Sequence, residues 1–79
     1  MDAMSEKEME ILRYIRTARH KTTIREISHD LNLSPGEVEV FVHGMVSRNL
    51  IKVVHGTSPT EDGFYTNPEK REEIYELLG

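Results

Sequence analysis

The 79-residue sequence contains no cysteine, which removes disulfides, thiolate metal ligands and thiol nucleophiles and suits a reducing interior. It also lacks any long apolar run, so no segment can span a bilayer as a helix, and none has the form of a signal peptide. Repeats, low-complexity tracts and Gly/Ser linkers are missing too, and residues 1–79 read as one domain. Aromatic residues are only 6% of the chain, yet 37% hydrophobic and 30% charged residues make a mixture too apolar for full disorder. A chain this short buries roughly 60% of the surface its unfolded form exposes, so its stability margin is modest. A soluble, cytoplasmic domain is the expectation.

Positive charge is scarce as well: 10 Lys/Arg stand against 14 Asp/Glu, a net charge of -4. Residues 1–21 carry a net +1, residues 22–50 a net -2 and residues 51–79 a net -3. The cations concentrate in Arg13, Arg16, Arg19, Lys21 and Arg25, with His20 among them. Nucleic-acid binding rests on Lys and Arg neutralising phosphates, so an acidic chain starts with a handicap. Catalytic constellations are missing too. The histidines at 20, 29, 43 and 55 form no i,i+4 pair, and zinc-ligand spacing is absent. The pairs Glu37/Glu39 and Glu72/Glu73 do not converge on one pocket, and there is no Gly-rich phosphate loop. No enzyme, metal or cofactor is expected.

What is present is a sequence of helix and strand signals. "SEKE" at 5–8 has the form of a capping box. It opens a helix expected over about 5–20, with Ile11, Leu12, Ile15 and Ala18 on one face; residues 1–4 are expected to fray. Thr23 and Glu26 make a second box, and Ile27 and Leu31 continue an apolar face. Leu33 follows in the turn as a plug into the core. Ser34-Pro35-Gly36-Glu37 is the strongest start signal, with Ser as N-cap and Pro at the first helical position. Val38, Val42 and Met45 form that helix's buried stripe, Phe41 lies beside it, and Asn49 suits the left-handed residue that ends it. Together these place a pair of helices over about 24–49. "LIKVV" and "FYT" then read as strands around the turn-rich "HGTSPTEDG", a hairpin over about 50–67. Asn67-Pro68-Glu69 opens a last helix over about 68–78. Its Ile74, Leu77 and Leu78 must cover either the first helix or the matching helix of a second subunit in a homodimer.

The stretch "REISHDLNLSPGEVEVFVHGMVSRNLIKV" resembles the segment shared by winged helix-turn-helix regulators of archaea and bacteria. In those an apolar pair (here Ile27 and Leu31), an apolar turn residue (Leu33) and a capping Ser (Ser34) precede the recognition helix. "GFYT" at 63–66 resembles the strand that brings the wing back. The resemblance covers residues 5–66. It implies a mainly α fold with a small β-hairpin (α+β): a short strand before the second helix, a three-helix core, a wing, and here a C-terminal helix. It also implies a transcriptional-regulator-like DNA-binding function.

The DNA-facing positions that the resemblance implies are Pro35, Gly36, Glu39, Val40, His43 and Gly44, none of them Arg, Lys, Asn or Gln. Base readout leans on those four residue types. Glu61 and Asp62 occupy the wing tip, where Arg or Lys would meet phosphate. Binding to double-stranded DNA would therefore rest on Arg13, Arg16, Arg19, Lys21, Thr23, Arg25, Ser34, His43 and Arg48, with the start of the second helix holding a phosphate. The alternative is a protein partner met through Glu37, Glu39, Val40, His43, Val46, Glu61 and Asp62, an apolar strip with a polar rim.

Overall fold

Ser5 starts the first helix by a reciprocal cap: its hydroxyl accepts from the Glu8 N–H at 3.2 Å, and the Glu8 carboxylate accepts from the Ser5 N–H at 2.9 Å. The structure is a computed structural model that describes residues 4–79. Fraying of residues 1–3 lies outside the described residues, while Met4, grouped with them above, is buried in the core.

Helix α1 spans Glu6–Thr17 and buries Ile11, Leu12 and Ile15. It stops three residues short of the expected end at 20, because Ala18 is already extended (φ -69°, ψ 139°). The reason is long-range. Thr22 is fully buried and exchanges both backbone hydrogen bonds with Phe64, at 3.0 and 2.8 Å. Its hydroxyl also donates to the Phe64 carbonyl at 3.3 Å. A helix running to 20 would leave one residue in which to unwind into that bridge. The short strand implied before the second helix is therefore this single bridged residue, and Arg19 lies off α1.

Helix α2 spans Ile24–Leu31 behind a complete Thr23/Glu26 capping box. Asn32 at φ 56° makes the left-handed turn, which asparagine tolerates better than most residues. Leu33 packs partly buried against the core, held where the Ser28 hydroxyl donates to its carbonyl at 2.6 Å. Helix α3 spans Pro35–Ser47 with Ser34 as N-cap, and Val38, Val42 and Met45 are buried as the stripe requires. Asn49 at φ 63° ends it and lets Leu50 turn inward, fully buried.

Strands β1 (Ile51–Val54) and β2 (Gly63–Thr66) pair antiparallel, with Lys52 opposite Tyr65 and Val53 opposite Phe64. Because side chains alternate along a strand, Ile51 and Phe64 enter the core while Lys52, Val54 and Tyr65 stay outside. The chain after β2 forms a 3-10 turn at Pro68–Lys70 before helix α4, Arg71–Leu78. The helix expected from 68 thus becomes α-helical only at Arg71. Ile74 and Leu78 are buried in the chain's own core and Leu77 packs partly against it. Of the two alternatives for this face, the described chain takes the first: the apolar side of α4 packs in its own core, leaving Tyr75 as the large exposed side chain of α4.

Four α-helices and a two-stranded hairpin in this order make a winged helix-turn-helix, mainly α with a small β wing. Among the described residues, no helix is long and apolar enough to cross a membrane.

Candidate nucleic-acid interface

Both helices of the helix-turn-helix present their first turns toward the wing. The groove they enclose has a volume of about 370 Å³ and is lined, among others, by Arg25 of α2, Glu39 and His43 of α3, and Thr60, Asp62 and Phe64 of the wing. The His43 ring stands edge-on to Phe64, with centroids 6.3 Å apart and planes at 87°, so a core residue of β2 fixes the position of a surface residue of α3. Glu39 Oε1 lies 3.8 Å from His43 Nε2.

The wing tip closes on itself. The Asp62 carboxylate accepts from the Gly56 N–H at 3.0 Å and lies 3.4 Å from His55 Nδ1. The Thr57 hydroxyl donates to Glu61. A Cβ on Gly56 would sit 2.7 Å from the Glu61 carbonyl oxygen, so the tip is compact only because residue 56 has no side chain. Asp62 is therefore a structural clasp at the tip, and Glu61 stays exposed.

The structure divides the two sequence-derived residue sets. Thr23 and Ser34 spend their hydroxyls as helix caps. Arg48 is the C-cap of α3, at the opposite end of that helix from Pro35 and Glu39. Arg13 borders a shallow concavity with Tyr14 and Asp30, whereas Arg16 borders another with Thr66 and Arg71. Lys21 lies over Gly63 of β2, and Arg25 alone reaches the α2–α3 groove. The band of five cations is thus not one surface. Among the described residues none of the five makes an ion pair; the Lys and Arg that do are Lys7 and Lys70.

The protein-interface set is also redistributed. Glu37 is half-buried and bonded to Lys7 of α1 at 2.7 Å. Val46 packs partly against the core, because at four residues past Val42 it shares the flank of the buried stripe. The apolar strip on α3 therefore reduces to Val40, 70% exposed, beside exposed Glu39 and His43. Residues that the sequence reading left unassigned are Lys52, Tyr65 and Arg71. The period-two pattern of "LIKVV" and "FYT" places Lys52 and Tyr65 outward, but only the strand register pairs them.

A polar network ties α1 to α2 behind this face. The Tyr14 hydroxyl donates to Asp30 at 2.5 Å. That bond, followed by burial and the carboxylate's charge, raises the Tyr14 pKa to about 12. The same bond, and then His29, lowers that of Asp30. Glu26 is lowered chiefly by its bond to His20, then by the Thr23 N–H. The linkage has a definite sign. A raised Tyr14 stabilises the fold fully below its ordinary pKa of 10.0 and loses that contribution as the pH rises toward about 12. A lowered Asp30 contributes above its ordinary 3.8 and loses that contribution as the pH falls below it. Tyr14→Phe is expected to shrink the pH dependence of stability in both windows, read as urea midpoints from acid to alkaline pH. Unchanged curves would show that the bond does not form in solution.

No family model matches the sequence, and no curated protein matches it. Solved structures do match its fold. Staphylococcus aureus MarR, in complex with salicylate and kanamycin, is 22% identical with a TM-score of 0.79, covering 95% of this chain and 49% of that one. A MepR variant from a multidrug-resistant S. aureus clinical isolate is 11% identical with a TM-score of 0.81, covering 94% and 54%. The PcaV transcriptional regulator of Streptomyces coelicolor, in complex with its natural ligand, is 14% identical with a TM-score of 0.78, covering 99% and 55%. The chain thus spans about half the length of the structures it matches.

Proposed function

We propose that this chain is a DNA-contacting winged-helix module of a transcriptional regulator, working in the cytoplasm, that presents α3 to the major groove and clamps a phosphate with Arg25 at the start of α2. One observation carries the reading. Arg25 is the sole Lys or Arg lining the groove between α2, α3 and the wing, and it makes no ion pair among the described residues. Its guanidinium is therefore free for a phosphate beside the first turn of α2, where helix N–H groups also favour an anion. The fold-level likeness to PcaV supports the same class, as analogy.

The acidic surroundings set the affinity. Glu39 and Glu61 are repelled by phosphates, so binding is weak, and the one phosphate contact at Arg25 makes it fall about eight-fold for a ten-fold rise in salt. The direct test is fluorescence anisotropy of a labelled mixed-sequence duplex at about 20 mM and about 200 mM salt, the range over which phosphate contacts lose affinity. Arg25→Glu is expected to weaken low-salt binding by about ten-fold or more, on the scale of a charge-assisted hydrogen bond. Equal binding by the variant would remove Arg25 from the interface and the reading with it.

A second reading, a protein partner docked on α3, is favoured by the exposure of Val40 in an acidic setting. A basic partner would suit that face. Loss of such a complex on Val40→Glu, with DNA binding absent in every salt, is the result that would favour it.

A further inference from the structure

Every histidine of the chain stands beside a carboxylate. His20 Nε2 lies 3.0 Å from Glu26, His29 Nδ1 3.1 Å from Asp30, His43 Nε2 3.8 Å from Glu39, and His55 Nδ1 3.4 Å from Asp62. Two of those carboxylates, Glu39 and Asp62, line the groove between α2, α3 and the wing, where Arg25 is the fixed cation. Among the described residues the groove therefore sets one positive charge against two negative ones while its imidazoles are neutral. Each negative charge has its own histidine within reach.

A proton on these rings adds charge without displacing an existing bond. Asp62 gives one oxygen to the Gly56 N–H at 3.0 Å and turns the other to His55, so a protonated His55 joins the clasp at the wing tip. The Asp62 side chain is 16% exposed, and a partly buried charge is poorly screened by solvent. Glu61, the other acid of the tip, is taken by the Thr57 hydroxyl. His43 is held edge-on to Phe64, with Glu39 one turn before it and with Arg25 of α2 and Asp62 of the wing lining the same groove. Glu26, next to Arg25 in the chain, also divides its oxygens, one to the Thr23 N–H and one to His20. His29 differs, because its partner Asp30 borders the separate concavity with Arg13 and Tyr14.

We infer that protons gate duplex binding on this face, His43 and His55 each taking up a proton as the pH falls and turning the groove and its rim from net negative to net positive. Histidine is the side chain whose charge ordinarily changes between about pH 5 and 8. With both rings neutral, Glu39 and Asp62 outweigh Arg25 and repel phosphates. With both protonated, each acid has a cationic partner and Arg25 meets the duplex unopposed. The His43 imidazolium also places a cation on α3, a helix that contains no Lys or Arg. This inference rests on the duplex reading and adds its regulation.

The test is anisotropy of the labelled mixed-sequence duplex, titrated with the whole chain at about 20 mM salt in buffers at about pH 8 and about pH 6, where imidazoles change charge. The lower value stays above the isoelectric point of about 5.5, so the chain keeps a net negative charge in both buffers. Affinity is expected to rise about ten-fold or more at the lower pH, the scale of one or two charge-assisted contacts. His43→Gln combined with His55→Gln should cut that rise to about three-fold or less, whereas His29→Gln should keep it. All three histidines are exposed, and circular dichroism at both pH values verifies that each variant remains folded. Equal duplex binding at the two pH values overturns the gate and leaves the Arg25 reading standing; no binding at either pH overturns both. The gate also falls if the double variant keeps the full rise of the parent. It falls equally if His29→Gln removes as much of the rise as the double variant, because the effect would then belong to the charge of the whole chain.

Discussion

Phe64→Ala is expected to remove most of the stability of the domain, about 3–5 kcal/mol, the usual cost of emptying a buried aromatic site. A chain of 79 residues has a total margin of roughly 4–12 kcal/mol at typical values per residue. Phe64 is 2% exposed, and its position joins three parts of the fold. Its backbone holds Thr22, the bridge that ends α1's approach to α2. Its ring fills the core beneath the wing and meets His43 of α3 edge-on. Loss of the ring therefore leaves a cavity and loosens the seat of α3 together. Urea unfolding followed by circular dichroism reads the effect, with the midpoint falling sharply. A loss below about 1 kcal/mol, well under the range for such truncations, would show that the core collapses around the gap and that Phe64 is replaceable.

The second large effect concerns charge on α3. Glu39→Lys should raise low-salt affinity for duplex DNA by about ten-fold or more, since it removes a repulsion and adds roughly one phosphate contact. Glu39 is exposed on the groove and, among the described residues, its ion-pair contact within 4.0 Å is the His43 ring at 3.8 Å, so the replacement breaks no strong pair. The salt slope should steepen by about 0.9. An affinity equal to that of the parent would mean that α3 does not face the duplex, and would shift attention to the docking of a protein on Val40. The opposite signs expected for Glu39→Lys and Arg25→Glu make the pair informative, because general destabilisation lowers binding in both.

Much of the architecture was legible from local signals. Ser5, Thr23 and Ser34 each act as the cap their sequence context announces, because a cap is decided within one turn of the helix it starts. The spacing of Val38, Val42 and Met45 similarly fixed which face of α3 is buried, since helical periodicity is a property of the segment itself. The site was less legible. Arg13, Arg16, Arg19, Lys21 and Arg25 are neighbours in sequence, yet they border different concavities and strands, because α1 stops at Thr17 and the following residues must reach Phe64. Glu37 reads as a surface acid of α3 but is turned to Lys7, 30 residues away. Val46 reads as exposed but lies against the core. Nothing in the local pattern reports a partner supplied by another element.

The sequence by itself determined the four helices, the hairpin, their order and their buried faces, since caps, periodicity and turn residues act over a few residues of chain. The tertiary structure alone decided where α1 ends, that α4 packs in the chain's own core, and which acid and cation share a groove. Those outcomes depend on contacts between residues far apart in the chain, such as Thr22 with Phe64. Burial and hydrogen bonding at such contacts outweigh the helix propensity of the few residues between.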